Sequence, residues 1–539
     1  MRPHESRYRL ARSAVSYLTL LLVVSMNTLP TTANETRPTA QTQHGPVRGQ
    51  IEDGILVFKG IRYGADTAYT RFAAPQTPAN WRNARDASHF GASCPQAPTG
   101  NPGGLFASWR PDPAPPFSED CLFVNVWTPA LADGRKRPVM VWFHGGGFSS
   151  GSGSSNAYDG VRLAHRGDVV VVTVNHRLNV FGYLALQHYG KGFEDSAVAG
   201  VLDMVQALQW VRDNVARFGG DPQTVTIFGE SGGGAKVSTL MTTQRAKGLF
   251  HRAVVQSGAM LRFPDAERAR RASDEVVAKL GVARGTIGEL KHLPTEAIQE
   301  AVTGTGAATA PTIDGRTLTC HPFEPDAAPA GRGVPLMLGT NRTENSLFVG
   351  ANPTVFELTW DGLTPAMKRA YPQRDVDAVI EEYRRLQPES NPSDIYLEAT
   401  SDARWLAGHV VQTERRVAQD GAPTWLYLFD WDTPVDGGKW RSPHALEIGF
   451  VFDNVAKSAS MSGTGEAQQR VADIMADTWI TFARTGNPNN PQVPNWPAYN
   501  LQKRPVMVLN ETPQLVNDAR GAQRALIDDS EAYGNRYQR

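Results

Sequence analysis

Continuous apolar runs that end in glycine or polar residues recur along this chain and predict buried parallel strands. Five of these runs cover residues 138–147, 168–177, 224–230, 252–258 and 335–341. Segments with helical periodicity alternate with the runs. Because strands that alternate with helices are typical of parallel sheets, the pattern predicts a doubly wound α/β fold with helices on both faces.

The clearest helical pattern covers residues 197–220. Its apolar residues fall on one stripe at steps of three and four positions, namely Val201, Val205, Leu208, Val211 and Val215. Gly219 and Gly220 follow as a stop signal. Two long helical regions, at residues 264–303 and 355–420, interrupt the strand rhythm, and we interpret them as insertions over the sheet within the same domain.

The amino terminus has a different pattern. Four arginines between Arg2 and Arg12 precede an apolar run at residues 14–26, and small residues follow up to Ala33. This order predicts a secretory signal peptide over residues 1–33, since the run is shorter than the ~20 residues of a membrane-spanning helix. We therefore expect one mature domain, 34–539, that is secreted or periplasmic and has no stable membrane insertion.

Composition narrows the possible functions. Basic and acidic residues number 54 each, and no basic stripe is present, so we expect no nucleic-acid partner. The chain has no CxxC or HExxH motif, which gives a metal site little support. The glycine-rich stretch after residue 144 lacks the GK[ST] ending of a phosphate loop and the GxGxxG spacing, so no cofactor is predicted.

A cluster of glycines surrounds Ser231 in "FGESGGGAKV" at residues 228–237. A predicted strand runs into this segment and a predicted helix leaves it. Gly229 to Gly233 therefore fit the G-x-S-x-G elbow, in which a strained turn exposes a serine nucleophile. The alternative is a mobile glycine turn, but the position between strand and helix favours the elbow.

A second glycine cluster, "HGGGF" at residues 144–148, closes another predicted strand. Glycines there allow backbone N–H groups to face the oxygen of a substrate. The two clusters together predict a nucleophile and a site for the oxyanion that its attack creates.

Longer segments resemble the type-B carboxylesterases, an α/β-hydrolase family that includes cholinesterases and bacterial para-nitrobenzyl esterases. "FGGDPQTVTIFGESGG" at residues 218–233 is similar to the family's serine signature, and "EDCLFVNVW" at residues 119–127 to its second signature. The resemblance covers about residue 41 to the end. It implies the α/β-hydrolase fold, with helical insertions over the active site, and hydrolysis of small-molecule carboxylic esters.

The resemblance also implies a catalytic triad. "GTNRTENSLF" at residues 339–348 puts Glu344 at the position of the family's acid, and "PHALEIGFVF" at residues 443–452 supplies His444. Ser231 would then be the nucleophile and His444 its general base, and Glu344 would orient the imidazole. The chain order Ser, Glu, His is the order that the fold requires.

Further roles follow from the same resemblance. The oxyanion hole would be formed by the N–H groups of Gly146, Gly147 and Gly232. Supporting residues near the triad would be Glu230, Ser257 and Glu447, although Glu230 could equally serve only to cap the backbone of the elbow. A disulfide would join Cys94 to Cys121 and leave Cys320 free.

The chain departs from the family pattern at Arg62, Ala445 and the residues around Glu344. These departures affect the expected substrate preference, but they remove no catalytic group. Short-to-medium acyl esters of small or aryl alcohols are the expected substrates, and the candidate lining residues of the pocket are Phe106, Trp109, Phe148 and Phe348. Two alternatives remain, a non-catalytic binding or adhesion protein on the same fold and a lipase or acyltransferase.

Overall fold

The computed structural model describes residues 37–97, 104–305, 310–372 and 374–527. The predicted signal peptide, residues 1–33, lies outside these ranges. Within them, the strands are β1 (Thr39–Gln41), β2 (Pro46–Arg48), β3 (Gln50–Glu52), β4 (Ile55–Arg62), β5 (Arg85–Asp86), β6 (Phe123–Thr128), β7 (Arg137–Phe143), β8 (Val170–Val174), β9 (Gly220–Glu230), β10 (Arg252–Gln256), β11 (Leu336–Asn341), β12 (Thr424–Phe429), β13 (Pro505–Leu509) and β14 (Gln514–Asn517).

Eleven of these strands form one large sheet in the order β14-β13-β12-β11-β10-β9-β7-β8-β6-β4-β3. The strands from β13 to β8 in that order are all parallel to their neighbours. Antiparallel strands complete the edges, with β14 at one side and β6, β4 and β3 at the other. Strands β1, β2 and β5 form a separate small sheet. The prediction of a mostly parallel α/β sheet is therefore confirmed.

The helices within the described residues are α1 (Val161–Gly167), α2 (Asn179–Tyr183), α3 (Ala199–Asn214), α4 (Gly232–Thr242), α5 (Ala266–Lys279), α6 (Thr295–Val302), α7 (Asn345–Val349), α8 (Trp360–Ala370), α9 (Val376–Leu386), α10 (Pro392–Ser401), α11 (Ala407–Ala418), α12 (Glu447–Val451), α13 (Ala459–Ser462), α14 (Glu466–Thr485) and α15 (Gly521–Ile527). Helix α3 ends in a 3₁₀ turn, and Gly219 follows it with φ 75°. Both regions predicted as insertions are mainly helical, with α5 and α6 in the first and α8 to α11 in the second.

The central strands bury side chains on both faces. Along β7, Val141 and Phe143 pack into one apolar cluster, whereas Met140 and Trp142 pack into the other. Helix α3 covers the first face and α14 covers the second. Because both faces of the sheet are covered, most positions of these strands are apolar, which is why the sequence pattern revealed them.

A disulfide joins Cys94 to Cys121, with 5.0 Å between their Cα atoms. Cys320 is a free cysteine. Arg62, one of the departures from the family pattern, binds the neighbouring Asp120 carboxylate, and its guanidinium lies 4.8 Å from the centre of the Phe123 ring. No helix in the described part of the chain is long and apolar enough to span a membrane.

Candidate active site

Ser231 lies at the junction of β9 and α4 and has an unusual backbone conformation. Its φ is 56° and its ψ is −122°, which costs energy for a residue with a side chain. The turn is tight because Gly229 and Gly233 lie against each other, and a Cβ on Gly229 would lie 2.6 Å from the Gly233 carbonyl carbon. The backbone N–H of Ser231 donates to the Gln256 carbonyl at 2.8 Å. The strained turn keeps the serine side chain partly exposed.

The glycine loop after β7 packs directly against this turn. Gly146 and Gly147 have φ values of 81° and 62°, which glycine adopts readily. A Cβ on Gly232 would lie only 2.1 Å from the Gly147 carbonyl oxygen. Glycine at position 232 therefore lets the loop approach the first turn of α4 more closely than alanine would allow.

His444 and Glu344 form a buried pair on the neighbouring strand ends. Glu344 follows β11, and His444 lies in the loop after β12. The Nδ1 atom of His444 is hydrogen-bonded to Oε2 of Glu344. The other oxygen of Glu344 accepts hydrogen bonds from Thr340 Oγ1 at 2.6 Å, from the Asn341 N–H at 2.7 Å and from Ser257 Oγ. These donors fix the Glu344 carboxylate in one orientation.

The opposite nitrogen of His444 faces a second carboxylate. Its Nε2 atom lies 3.0 Å from Oε1 of Glu230, the residue before Ser231. Among the described residues, the Ser231 hydroxyl makes no hydrogen bond to His444. A substituent placed on Gly145 would contact both the Glu230 carboxylate and the Ser231 side chain, so all of these groups share one small space.

Glu447 belongs to the same buried cluster but does not bind the imidazole. Its oxygens accept hydrogen bonds from Gln256 Nε2 at 3.1 Å and from Asn341 Nδ2 at 2.7 Å. Gln256 in turn accepts a bond from Trp479 Nε1 at 3.0 Å. Glu447 therefore stabilises the ends of β10 and β11, to which Gln256 and Asn341 belong.

Three buried carboxylates around one histidine shift each other's proton affinities. Burial lowers the pKa of His444, but the charges of Glu230 and Glu344 outweigh burial and raise it to about 9. Burial and the charge of Glu344 raise the pKa of Glu447 to about 7. Burial also raises the pKa of Glu230 well above its ordinary value. Burial alone would raise the pKa of Glu344, yet its histidine partner and its donors lower it.

Two aromatic rings lie next to the imidazole, one exposed and one buried. The centre of the Phe348 ring lies 5.0 Å from that of His444, and the Trp405 ring lies at 5.9 Å. Phe348 is 47% exposed. Of the four predicted lining residues, Phe348 adjoins the imidazole, whereas Phe106 and Trp109 pack on each other and Phe148 is buried against Tyr183.

The structure places Glu230, Glu344 and His444 in one buried cluster, with Ser231 next to Glu230 and Glu447 behind the strand ends, whereas three of the four candidate lining residues lie elsewhere. Sequence reasoning missed Trp405, Gln256 and Lys236. Lys236 alone had a visible signal, because it is the single charged residue in the otherwise small and apolar stretch "GGGAKVSTLM". Within the described residues, no group of three or more His, Cys, Asp or Glu side chains could hold a metal ion.

A strained serine elbow, a glycine loop beside it and a histidine–glutamate pair on adjacent strand ends define a class of α/β hydrolases. The family model described as "Carboxylesterase family" matches residues 36–526, so the chain belongs to the carboxylesterase family. It is a carboxylic ester hydrolase, and the predictions of family, fold and enzyme class are confirmed.

Named relatives support this assignment. The chain is 34% identical to the para-nitrobenzyl esterase of Bacillus subtilis (strain 168) over 501 residues, which cover 90% of this chain and 97% of that protein. It is 31% identical to the phenmedipham hydrolase of Pseudarthrobacter oxydans over 88% of this chain and 96% of that protein. The crystal structure of a Geobacillus stearothermophilus carboxylesterase superimposes with a TM-score of 0.78 and 35% identity, covering 91% of this chain and 100% of that one.

Proposed function

We propose that this protein hydrolyses esters through an acyl-serine intermediate, with Ser231 as nucleophile, His444 as general base and Glu344 as the acid that orients it. The observation that supports this most is the strained Ser231 turn beside the buried His444–Glu344 pair. Gly146, Gly147 and Gly232 would supply the N–H donors of the oxyanion hole, a role supported by the close contact of Gly147 with Gly232, the residue after the serine.

The first half of the reaction forms the acyl-enzyme. Ser231 Oγ attacks the ester carbonyl carbon, and its proton moves to Nε2 of His444. The carbonyl oxygen becomes an oxyanion that the glycine N–H groups bind. When the intermediate collapses, the C–O bond to the alcohol breaks and His444 returns the proton to the leaving oxygen. Glu344 balances the charge of the imidazolium throughout.

This sequence requires the Ser231 hydroxyl to turn toward His444 once the substrate is bound. Catalytic hydrogen bonds are often unmade in a free enzyme and form in the substrate complex. Glu230, which lies at Nε2 of His444 in the free site, would then be a second partner for the imidazolium. In the second half of the reaction, water takes the place of the serine hydroxyl and releases the acid by the same steps.

The aromatic side chains beside His444 favour apolar substrates. The Phe348 and Trp405 rings stack with their centres 5.2 Å apart, and the exposed Phe348 presents ring surface next to the imidazole, whereas Trp405 is buried behind it. Aryl and short-to-medium acyl groups gain contact area there without needing a charged partner.

We also propose that the mature enzyme, 34–539, acts outside the cytoplasm after removal of residues 1–33, on the basis of the amino-terminal pattern.

Labelling with a fluorophosphonate, followed by peptide mapping, tests the nucleophile. We expect one phosphonylated serine, Ser231, together with hydrolysis of p-nitrophenyl esters. Labelling of another serine would overturn the assignment.

Two further measurements separate the remaining alternatives. With added alcohol, an acyltransferase would form a new ester. With increasing substrate, a lipase would be activated above the solubility limit of its substrate.

The carboxylate cluster predicts that the pH profile of kcat/KM is displaced to higher pH. Only neutral imidazole can accept the serine proton, and the pKa of His444 is raised to about 9, so kcat/KM should still rise between pH 7 and 9. Glu230→Gln removes a charge that stabilises the imidazolium, and it should move this acid limb to lower pH. The apparent value belongs to the coupled cluster as a whole.

The control is Glu381→Gln, which alters an exposed glutamate on α9 and should leave the profile unchanged. The comparison is made by measuring kcat/KM from pH 5 to 10 for all three proteins. A wild-type limb at or below the ordinary histidine value of about 6.5, or no shift in Glu230→Gln, would contradict the role given to Glu230.

A further inference from the structure

Lys236 occupies an unusual position on α4, five residues after Ser231. Its side chain is 0% exposed. Its Nζ atom donates a hydrogen bond to the carbonyl oxygen of His144 at 2.8 Å, and no carboxylate of the described residues lies within 4 Å of it. Lysine is almost never fully buried unless it is paired with an acid, because removing its amine from water is costly. A lysine that stays buried despite this desolvation cost is expected to have a specific role.

The groups around Nζ offer no other charge to pair with. The His144 ring stacks on the His176 ring at 5.0 Å with an angle of 7° between them, and the Phe148 ring centre lies 5.7 Å from Nζ. The Nδ1 atoms of both histidines are hydrogen-bonded to backbone oxygens. Burial, with the nearby lysine adding to it, keeps the pKa of each histidine below its ordinary value. Among the described residues, the hydrogen-bond acceptor of Lys236 is therefore the His144 carbonyl oxygen, with the Phe148 ring beside the amine.

That carbonyl lies at a critical position in the chain. His144 directly follows the end of β7, and Gly145, Gly146 and Gly147 come next. These glycines have no side chains that could hold them in place, and two of them have positive φ values. One end of the loop rests against Gly232, as its close contact with Gly147 shows. The bond from Lys236 holds the other end.

We propose that Lys236 is a positioning residue for ester hydrolysis, and that its buried amine fixes the glycine loop whose N–H groups bind the oxyanion. The inference rests on the function proposed above. Donors in an oxyanion hole act on the charge that develops in the transition state, so a small displacement of the loop would slow the reaction more than it would weaken substrate binding.

Lys236→Met tests the proposal, because methionine fills nearly the same volume without an N–H donor. We expect kcat to fall by about 10- to 100-fold, less than the ~10²–10³-fold loss for removing a donor itself. KM should stay within a few-fold of the wild-type value. A trifluoromethyl ketone, which forms a tetrahedral adduct with a nucleophilic serine, should bind more weakly by the same factor as kcat/KM, whereas the matching methyl ketone should bind unchanged.

Thr239→Val is the matched control. It also removes a buried hydrogen bond from α4, the bond from Thr239 Oγ1 to the Ala235 carbonyl at 2.8 Å, but it does not touch the glycine loop. Its kcat should equal that of the wild type. If Lys236→Met weakens both ketones equally, or leaves kcat unchanged, Lys236 has only a packing role and the proposal is wrong.

Should Lys236→Met fail to fold, Lys236→Gln decides the question. Its amide nitrogen is one atom closer to the backbone and falls short of the His144 carbonyl, so kcat should drop at an unchanged melting temperature. An unchanged kcat would overturn the proposal. Failure of the proposed function would differ from either result, since the wild-type protein itself would then escape fluorophosphonate labelling at Ser231.

Discussion

Ser231→Ala should reduce kcat by a factor of up to about 10⁶, since loss of a triad nucleophile removes the covalent route and leaves only binding and the oxyanion hole. The fold should be retained, because the serine hydroxyl makes no hydrogen bond within the described residues that the structure depends on. Active-site titration and steady-state rates with a p-nitrophenyl ester measure the effect. The melting temperature should remain within a few degrees of the wild-type value.

Ser238→Ala is the matched control for this variant. Ser238 lies on the same helix and is fully buried, and its hydroxyl accepts a hydrogen bond from Gln412 at 3.0 Å. We expect this variant to retain nearly full kcat. If Ser231→Ala kept more than about one hundredth of the wild-type kcat, the acyl-serine mechanism would have to be abandoned.

Glu344→Gln should lower kcat by at least about a hundredfold and by up to roughly 10⁴-fold, with KM within a few-fold. The contacts give the reason. One oxygen of Glu344 accepts three hydrogen bonds, so the amide oxygen of glutamine must take that position and its NH₂ group must face His444. The imidazole then presents an unprotonated Nδ1 and a protonated Nε2, which cannot accept the serine proton. Steady-state kinetics across pH and a melting curve measure both effects.

Glu447→Gln distinguishes this explanation from a general effect of charge. Glu447 is equally buried, but its oxygens bind Gln256 and Asn341, not the imidazole. The control should therefore lose much less kcat than Glu344→Gln.

Asp402, another acid on a helix near the site, is bound by Tyr383 and Arg520 and is not available to His444. A normally folded Glu344→Gln with near-wild-type kcat would show that the acid has been misassigned.

The sequence alone determined the fold class and predicted the serine, histidine and glutamate of the candidate site. Strands β7 to β11 were visible because both faces of the sheet are covered, so that most of their positions are apolar. Strands β4 and β12 to β14 were not singled out, although β4 and β12 are as long as the central strands and β12 is buried at every position. The elbow at Ser231 could be predicted because its glycines are close in the sequence, and the close contacts between neighbouring turns leave no room for side chains there. His444 and Glu344 were found through resemblance to a family, not through any local pattern.

Only the tertiary structure decided how these residues meet. The carboxyl ends of β9, β11 and β12 lie at the same edge of the sheet, with β10 between β9 and β11, and this brings Glu230, Glu344 and His444 together from positions at least 100 residues apart. The raised pKa of the imidazole follows from that meeting, because it depends on burial and on distances between charges. The same holds for Lys236. Its sequence neighbours identify a lysine on a helix, but only packing shows that its amine lies against the His144 carbonyl under the glycine loop.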